Sequence, residues 1–276
     1  MPKTLYISDL DGTLLNKNAE LSEYTAGALN RMIADGLHFS VATARTAASA
    51  FHILAGVRWN IPLVLMNGVL IYDPAQKRYT QILSLTAETA SAVIAAFGSL
   101  GVTGLMYQLT GSEQRTYYES LARKPIRDFI EERASRYNKK FIRTDSFSGI
   151  PPEQIIYFTI LDTHDNTKRV YDALATLSGI SQFMYKDIYS SDLWYLEIHN
   201  EHASKQNGVD FLRGQYGFER VIGFGDNLND LPMFAACDEK VAVANARDEV
   251  KAAADAICGP NEDDGVVRWI EHIFTS

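Results

Sequence analysis

Asp9-Leu10-Asp11-Gly12-Thr13-Leu14 is the stretch that decides the fold of this chain, because the apolar run before it is typical of a buried strand. That run, Thr4-Leu5-Tyr6-Ile7-Ser8, is short, contains β-branched and aromatic residues, and leads into a break that contains glycine. Two carboxylates this close together at the end of a buried strand repel each other, and burial penalises both. Such a pair is normally tolerated where a cation binds or where chemistry needs it. Ligands of open α/β sheets also bind at this end of the strands.

The composition is that of an ordinary globular protein. The 276 residues are 46% hydrophobic and 22% charged, which suits one large domain or two ordinary ones. The net charge of -8 argues against nucleic-acid binding through a basic surface. No apolar run approaches the roughly 20 residues that span a bilayer, and no signal-peptide pattern is present. Cys237 and Cys258 lack metal-type spacing, so we expect free thiols and a cytoplasmic protein.

Strand and helix patterns alternate in the first part of the chain and again after about residue 201. The first part predicts a helix over 22–35, a strand over 38–42, a helix over 46–56 and a strand over 63–66. This βαβαβ order favours a parallel sheet with right-handed crossovers. We therefore predict an α/β protein. Its Rossmann-like parallel-sheet core would comprise residues 1–83 and 201–276, and an inserted α+β cap domain would comprise residues 84–200.

The insert mixes hairpin and helix patterns, which favours an antiparallel sheet. Helices are predicted over 86–97, 124–136 and 165–177, and strands over 102–109, 114–118, 155–161 and 182–198, whereas 120–154 otherwise has weak periodicity. Six basic residues of the insert could recognise an anionic substrate: Arg115, Lys124, Arg127, Lys139, Lys140 and Arg143. A solvated face is the more common role of such charges, and we expect it for most of them.

Polar groups follow the other core strands as well. Thr43 ends the second strand, Asn67-Gly68 ends the third, and Gly225-Asp226-Asn227-Leu228-Asn229-Asp230 follows the strand over 221–224. Lys205 begins the helix that precedes that strand. Because the carboxyl ends of parallel strands share one edge of a sheet, these groups are expected to converge on one cavity.

The chemistry of these groups is complementary. Asp9, Asp11 and Asp226 supply the oxygen ligands that Mg²⁺ prefers. The Thr43 hydroxyl and the Lys205 ammonium suit a phosphate group. Together they predict a phosphoryl-transfer site with a carboxylate nucleophile, a metal and a proton shuttle.

Each residue taken alone also has a plain structural role. Thr43 could cap a helix, Lys205 could be a surface lysine, and Asp230 could stabilise a helix dipole. Asn67-Gly68 could be a tight turn, and Arg45 could form a surface ion pair. It is the set, in this order along the chain, that favours function.

The set resembles the four motifs of the haloacid dehalogenase superfamily of phosphatases. The insert after the third strand is similar to that of the Cof-type sugar-phosphate phosphatase subgroup, as are Val41-Ala42-Thr43-Ala44-Arg45 and Glu262-Asp263-Asp264-Gly265-Val266. Ala44 stands where the subgroup usually has glycine. Both core segments carry the resemblance in full, and the insert carries it by position and length.

The resemblance implies a role for each matching residue. Asp9 would be the nucleophile, and Asp11 would act as general acid and then as general base. The phosphate would be surrounded by Asp9, the backbones of Leu10 and Ala44, and the side chains of Thr43, Lys205 and Asn229. The metal would be held by Asp9, the Asp11 carbonyl and Asp226, with Asp230 in support. Arg45, Asn67 and Gly68 are further candidates for substrate contact.

The resulting prediction is a Mg²⁺-dependent phosphatase that hydrolyses small phosphorylated metabolites, either sugar phosphates or phosphorylated cofactors, through an aspartyl-phosphate intermediate. One alternative is a phosphotransferase such as a phosphosugar mutase on the same core. Another is a non-catalytic metabolite-binding protein, which the presence of Asp9, Asp11 and Lys205 disfavours. The expected partner is a small phosphorylated metabolite, with no nucleic acid and no membrane, and the expected state is a monomer or a small homo-oligomer.

Overall fold

The apolar run before Asp9 forms strand β1 (Thr4–Ser8), which is buried inside a parallel sheet. The computed structural model describes residues 2–187 and 192–274 of the chain. The strands that follow β1 are β2 (His38–Val41), β3 (Leu63–Leu65), β4 (Leu70–Asp73), β5 (Arg78–Ile82), β6 (Leu105–Thr110), β7 (Glu113–Tyr118), β8 (Phe141–Arg143), β9 (Ile155–Asp162), β10 (Ile180–Lys186), β11 (Trp194–Asn200), β12 (Arg220–Gly225), β13 (Glu239–Val243) and β14 (Ala256–Cys258). The α-helices are α1 (Glu23–Ala34), α2 (Ala47–Ile53), α3 (Ala87–Leu100), α4 (Lys124–Tyr137), α5 (His164–Ala173), α6 (Lys205–Tyr216), α7 (Leu231–Ala235), α8 (Asp248–Ala253) and α9 (Gly265–Phe274).

The chain divides into two units, the first comprising Met1–Gln81 with Ser204–Ser276 and the second comprising Ile82–Ala203. In the first unit the sheet has the order β14-β13-β12-β1-β2, and each pair of neighbours is parallel. The α/β fold class with a parallel-sheet core is thus confirmed.

The register of β1 places three strand ends side by side. Ser8, the last residue of β1, pairs with Val41 on β2 and with Phe224 on β12. The loops that follow these strands therefore leave the same edge of the sheet. Strand β3 joins the sheet through a parallel bridge between Ala42 and Val64 and forms a small sheet of its own with β4 and β5.

The second unit has a six-stranded sheet of order β10-β11-β9-β6-β7-β8. Its registered pairs are antiparallel, apart from the parallel pair β7–β8. Helices α3 and α5 cover one face, where Val93, Phe97, Phe158 and Val170 belong to one apolar core. Burial of these side chains is the main stabilising contribution in this unit.

Several boundaries differ from the sequence-based predictions. The prediction of one strand over 182–198 is wrong, because β10 and β11 are two strands of an antiparallel pair, and 188–191 lie outside the described residues. Strand β8 was not predicted, since its three residues offer too short a pattern. Helix α2 ends at Ile53 and α5 at Ala173, earlier than predicted. Among the described residues, no helix has both the length and the apolar character that crossing a membrane requires.

Helix α6 packs closely against β3 at Gly208, and this contact yields a stability prediction. A Cβ at Gly208 would lie 2.4 Å from Cγ1 of Val64, whereas a Cβ at Gly214 on the same helix would meet nothing within 4 Å. We expect Gly208→Ala to cost about 1–3 kcal/mol through overpacking. Gly214→Ala, the matched control, should instead stabilise the helix by about 0.5–1 kcal/mol. Thermal unfolding of the full chain measures both changes, and equal effects of the two variants would contradict the close packing.

Candidate active site

Asp9 stands at the centre of the edge where β1, β2 and β12 end. Its backbone N–H donates to the carbonyl of Phe224 at 2.9 Å, and its side chain is buried. The chain then turns over Leu10–Leu14, where the backbone is not helical at Asp11 and Gly12 has a φ of 81°. A Cβ at Gly12 would lie 2.5 Å from Oδ2 of Asp226. Glycine therefore permits both the left-handed backbone and the close approach of the turn to Asp226.

The end of β2 is hydrogen-bonded to the loop after β3. Thr43 is buried, its hydroxyl accepts from the N–H of Arg45 at 3.1 Å, and its carbonyl accepts from the N–H of Asn67 at 2.9 Å. Ala44 is exposed, and its φ is not positive. Alanine therefore fits here without backbone strain. The Thr43 loop is thus fixed by backbone hydrogen bonds rather than by a glycine.

The Asn67-Gly68 turn lies against the start of α6. Asn67 has a φ of 53° and Gly68 a φ of 93°. A Cβ at Gly68 would lie 2.2 Å from the carbonyl oxygen of Ser204, so only glycine fits there. Ser204 accepts from the N–H of Asn207 at 3.0 Å and caps the helix, which makes Lys205 its first residue. The turn and the cap together fix where the Lys205 side chain begins.

Lys205 joins two strand ends through buried ion pairs. Its Nζ donates to Oδ1 of Asp9 at 2.5 Å and to Oδ1 of Asp230 at 2.7 Å. Its side chain is only 1% exposed. Oδ2 of Asp230 accepts from the N–H groups of Asp226 and Asn227, both at 3.0 Å. Because both carboxylate oxygens of Asp230 have a partner, this carboxylate is held rigidly although it is fully buried.

Asp9, Asp226 and Asp230 form a cluster that could hold a metal ion. One carboxylate oxygen of each lies within 4.8 Å of the others. If all three are ionised, Lys205 offsets one of three negative charges, and two remain. A divalent cation carries the charge that is missing, and carboxylate oxygens are the donors that hard cations prefer. The residues present therefore fit a hard divalent metal.

The pKa values follow from the same imbalance of charge. Burial, together with the carboxylates of Asp230, Asp226 and Asp11, raises the pKa of Asp9 well above its usual range, and Lys205 opposes this rise. Burial and Asp230 likewise raise the pKa of Asp226 to about 6, although Thr13 lowers it by donating to Oδ1 at 2.9 Å. Burial alone would lower the pKa of Lys205, but Asp230 and Asp9 outweigh it and raise the pKa. The cluster holds protons more tightly than free carboxylates do, which is a further sign of missing positive charge.

Asp11 lies apart from this cluster and is held by Arg45. The guanidinium donates from Nε to Oδ2 at 2.7 Å and from an Nη to Oδ1 at 2.5 Å. This two-point contact is the geometry that arginine favours with carboxylates. The Asp11 side chain is 52% exposed, so it remains accessible at the mouth of the site. Asn229 is also exposed, in the short turn Leu228–Asp230, whereas Leu10 is buried.

Two residues of the site were not assigned a role from sequence. Thr13 donates a hydrogen bond from its hydroxyl to Asp226. It lies within the Asp9–Leu14 stretch, so that motif could have indicated a role for it. The side-chain amide of Asn245 donates to the carbonyl of Gly12 at 2.7 Å, which fixes the turn after Asp9. Asn245 is remote in sequence from every motif, and no pattern pointed to it.

A family model described as haloacid dehalogenase-like hydrolase matches residues 6–270. This chain belongs to the haloacid dehalogenase-like hydrolases. The superfamily and the Cof-type subgroup predicted from its motifs are thereby confirmed.

Several relatives of this hydrolase are named phosphatases. The 5-amino-6-(5-phospho-D-ribitylamino)uracil phosphatase YitU of Bacillus subtilis is 24% identical over 273 residues, which are 97% of this chain and 96% of the relative. The pyridoxal phosphate phosphatase YbhA of Escherichia coli is 25% identical over 282 residues, and 95% of each chain is covered. The predicted enzyme class, a phosphoric monoester hydrolase, is confirmed by this relationship.

The fold of this hydrolase is shared with solved structures. A haloacid dehalogenase-like hydrolase from Bacteroides thetaiotaomicron superposes with a TM-score of 0.83 at 24% identity, covering 98% of this chain and 99% of that one. At this identity the likeness shows the fold alone.

Asp226 of this hydrolase allows a test of the charge imbalance. In metal-free buffer at neutral pH, Asp226→Asn should stabilise the fold by roughly 1–2 kcal/mol, because the raised pKa means that the charged form is disfavoured in the folded state. The amide oxygen can still accept from Thr13. The gain should grow as pH rises from 3.8 through about 6, where the folded carboxyl ionises.

Thermal unfolding with a chelator, across that pH range, measures the effect. Asp210→Asn, a change at an exposed position of α6, is the matched control and should leave stability almost unchanged. A loss of stability in Asp226→Asn at neutral pH would contradict the uncompensated negative charge.

Proposed function

We propose that this hydrolase is a Mg²⁺-dependent phosphatase of small phosphorylated metabolites, with Asp9 as its nucleophile. The observation that carries the proposal is the buried cluster in which Lys205 bridges Asp9 and Asp230, with Asp226 beside them. A cluster of this kind is costly to fold unless it binds a cation and an anionic group. Because of this cost, a purely structural role for these four residues is disfavoured.

Mg²⁺ would be held by Asp9, the Asp11 carbonyl and Asp226, with Asp230 in support, and when bound it would neutralise negative charge on the phosphate and on the carboxylates. The phosphate group would be surrounded by protein groups that donate hydrogen bonds or positive charge. These are the Leu10 and Ala44 backbones, the Thr43 hydroxyl, the Lys205 ammonium and the Asn229 amide. Arg45, Asn67 and Gly68 would contact the rest of the substrate.

In the first step a carboxylate oxygen of Asp9 attacks phosphorus, and the bond between phosphorus and the leaving oxygen breaks. Asp11, as a carboxylic acid, donates its proton to that leaving oxygen, so a neutral alcohol departs. Lys205 keeps the attacking carboxylate in place through its 2.5 Å hydrogen bond. The product of this step is an aspartyl phosphate on Asp9.

In the second step a water molecule attacks the phosphorus of that aspartyl phosphate. Asp11, now a carboxylate, takes the proton of the water, the bond from phosphorus to Asp9 breaks, and inorganic phosphate forms. Arg45 is the group that holds Asp11 between the two steps, through both nitrogen-to-oxygen contacts. Positioning and electrostatics thus account for the catalysis, as is general in phosphoryl transfer.

We assign the first unit as the catalytic core and the second as the cap that sets substrate preference. The names of the relatives YitU and YbhA give phosphorylated substrates that are small metabolites, which supports the same class here. A sugar phosphate or a phosphorylated cofactor is the substrate we propose. The cytoplasmic location and the monomeric or small homo-oligomeric state stay predictions.

Removal of the nucleophile provides the direct test. Asp9→Asn should reduce phosphate release by a factor of about 10³ or more, because the amide cannot form the covalent intermediate. Phosphate release from sugar phosphates, phosphorylated cofactors and p-nitrophenyl phosphate measures this. Asp73→Asn alters another buried aspartate of the same unit and should retain turnover. Comparable activity in Asp9→Asn and the wild type would refute the role of Asp9.

Removal of the metal provides a second, independent test. A chelator should abolish phosphate release by the wild type, and added Mg²⁺ should restore it, since the carboxylate cluster is then neutralised again. Asp226→Asn should require a higher Mg²⁺ concentration for half-maximal activity. Phosphate release that persists in the presence of the chelator would contradict the metal requirement.

Metal binding without phosphate release from any substrate would instead favour the phosphotransferase alternative. Transfer of the phosphoryl group between positions of one sugar, with a bisphosphate requirement, would then be the measurement to make.

A further inference from the structure

The loop after β13 contacts both of the loops that carry the proposed metal ligands. The side-chain amide of Asn245 donates from Nδ2 to the carbonyl of Gly12 at 2.7 Å. The backbone N–H of Arg247 donates to the carbonyl of Asp226 at 2.9 Å. One short segment outside the proposed ligand set is therefore hydrogen-bonded to the loop after β1 and to the loop after β12.

A second asparagine extends this connection. Oδ1 of Asn245 accepts from the backbone N–H of Asn261 at 3.0 Å, and Nδ2 of Asn261 donates to the carbonyl of Leu15 at 2.8 Å. The two side chains, which we call the asparagine clamp, thus hold the turn after Asp9 at the carbonyls of Gly12 and Leu15. Each of them uses an amide N–H as the donor and so satisfies a backbone oxygen of the turn.

The stretch 262–266, which contributes to the resemblance to the phosphatase subgroup, has no role in the proposed mechanism. Its contacts give it one. Oε1 of Glu262 accepts from the backbone N–H of Lys17 at 2.5 Å, and Oδ1 of Asp264 accepts from the hydroxyl of Thr25 at 2.8 Å. The stretch therefore holds the chain that leaves the turn after β1, next to the asparagine clamp.

The position of a carbonyl ligand depends on the backbone beside it. The Asp11 carbonyl, a proposed metal ligand, belongs to the peptide group that joins Asp11 to Gly12, where φ is 81°. Rotation about the Gly12 backbone would move this carbonyl relative to Asp226. Because glycine restricts such rotation least of all residues, the restriction has to come from its neighbours. The hydrogen bond from Asn245 to the Gly12 carbonyl supplies it.

We propose that Asn245 and Asn261 are positioning residues for the metal, because they fix the turn that carries the Asp11 carbonyl. Both roles rest on the proposed function, since Asp11 and Asp226 are the ligands proposed for that metal. Mg²⁺ demands nearly ideal octahedral geometry, so a displaced ligand weakens its binding. Groups that orient metal ligands typically contribute about 10- to 100-fold to metal affinity.

Mg²⁺ binding without substrate measures this role directly. Isothermal titration calorimetry of the full chain with magnesium chloride gives the dissociation constant, and the rise of the unfolding temperature with Mg²⁺ concentration gives an independent value. We expect Asn245→Ala to bind Mg²⁺ about tenfold more weakly than the wild type. Asn261→Ala keeps the Asn245 contact with Gly12 and should show a smaller loss. If Asn245→Ala does not fold, the affinity of Asn261→Ala decides the test.

Asn60→Ala is the matched control for a merely structural role. The side-chain amide of Asn60 donates to the carbonyl of Leu37 at 2.7 Å, just before β2 begins and thus at the opposite edge of the same sheet. The variant loses a hydrogen bond of the same kind, so its stability should fall about as much as that of Asn245→Ala. Its affinity for Mg²⁺ should remain that of the wild type.

Three results would overturn the positioning role, and they can be told apart. Unchanged Mg²⁺ affinity in the clamp variants would remove that role and leave the metal standing. An equal loss of affinity in Asn60→Ala would do the same, because general destabilisation would then explain the effect. A wild-type chain that binds no Mg²⁺ would instead overturn the metal of the proposed function, and the clamp with it.

Discussion

The ammonium of Lys205, buried between Asp9 and Asp230, is the interaction on which the site depends. It joins the end of β1 to the loop after β12 and is anchored at the first turn of α6, so three elements meet in one charge cluster. Removing one partner of a buried pair leaves an uncompensated charge and typically costs about 3–5 kcal/mol. The geometry of the proposed catalytic groups and the stability of this edge of the sheet are therefore set by the same contacts.

Two glycines make the cluster possible. The backbone at Gly12 comes so close to Asp226, and that at Gly68 so close to Ser204, that any Cβ would collide. Both residues also have positive φ, which other residues adopt only at a cost. They bring the loops of β1 and β3 within reach of the carboxylates and of the start of α6. Close backbone approach, rather than flexibility, is their contribution.

Buried charged groups are paired differently in the two units. In the first, one ammonium faces an excess of carboxylates, and the deficit is of positive charge. In the second, the ammonium of Lys139 lies over the rings of Tyr107 and Phe141, and the guanidinium of Arg133 is paired with Glu132. The first is a buried imbalance of charge that folding alone does not resolve, and it points to a ligand of the opposite sign.

The sequence by itself determined the parallel sheet, the family and the residues that meet at the site. Strand and helix periodicities are local, and Asp9, Thr43, Lys205 and Asp226 follow their strands or begin their helix at positions that any parallel sheet brings together. Only the tertiary structure decided how the charges pair, because an ion pair between residues 196 positions apart leaves no local pattern. For the same reason the burial of Lys139 could not be predicted. Its neighbours in sequence are polar, and the rings that enclose it come from β6 and β8, which the chain brings together only on folding.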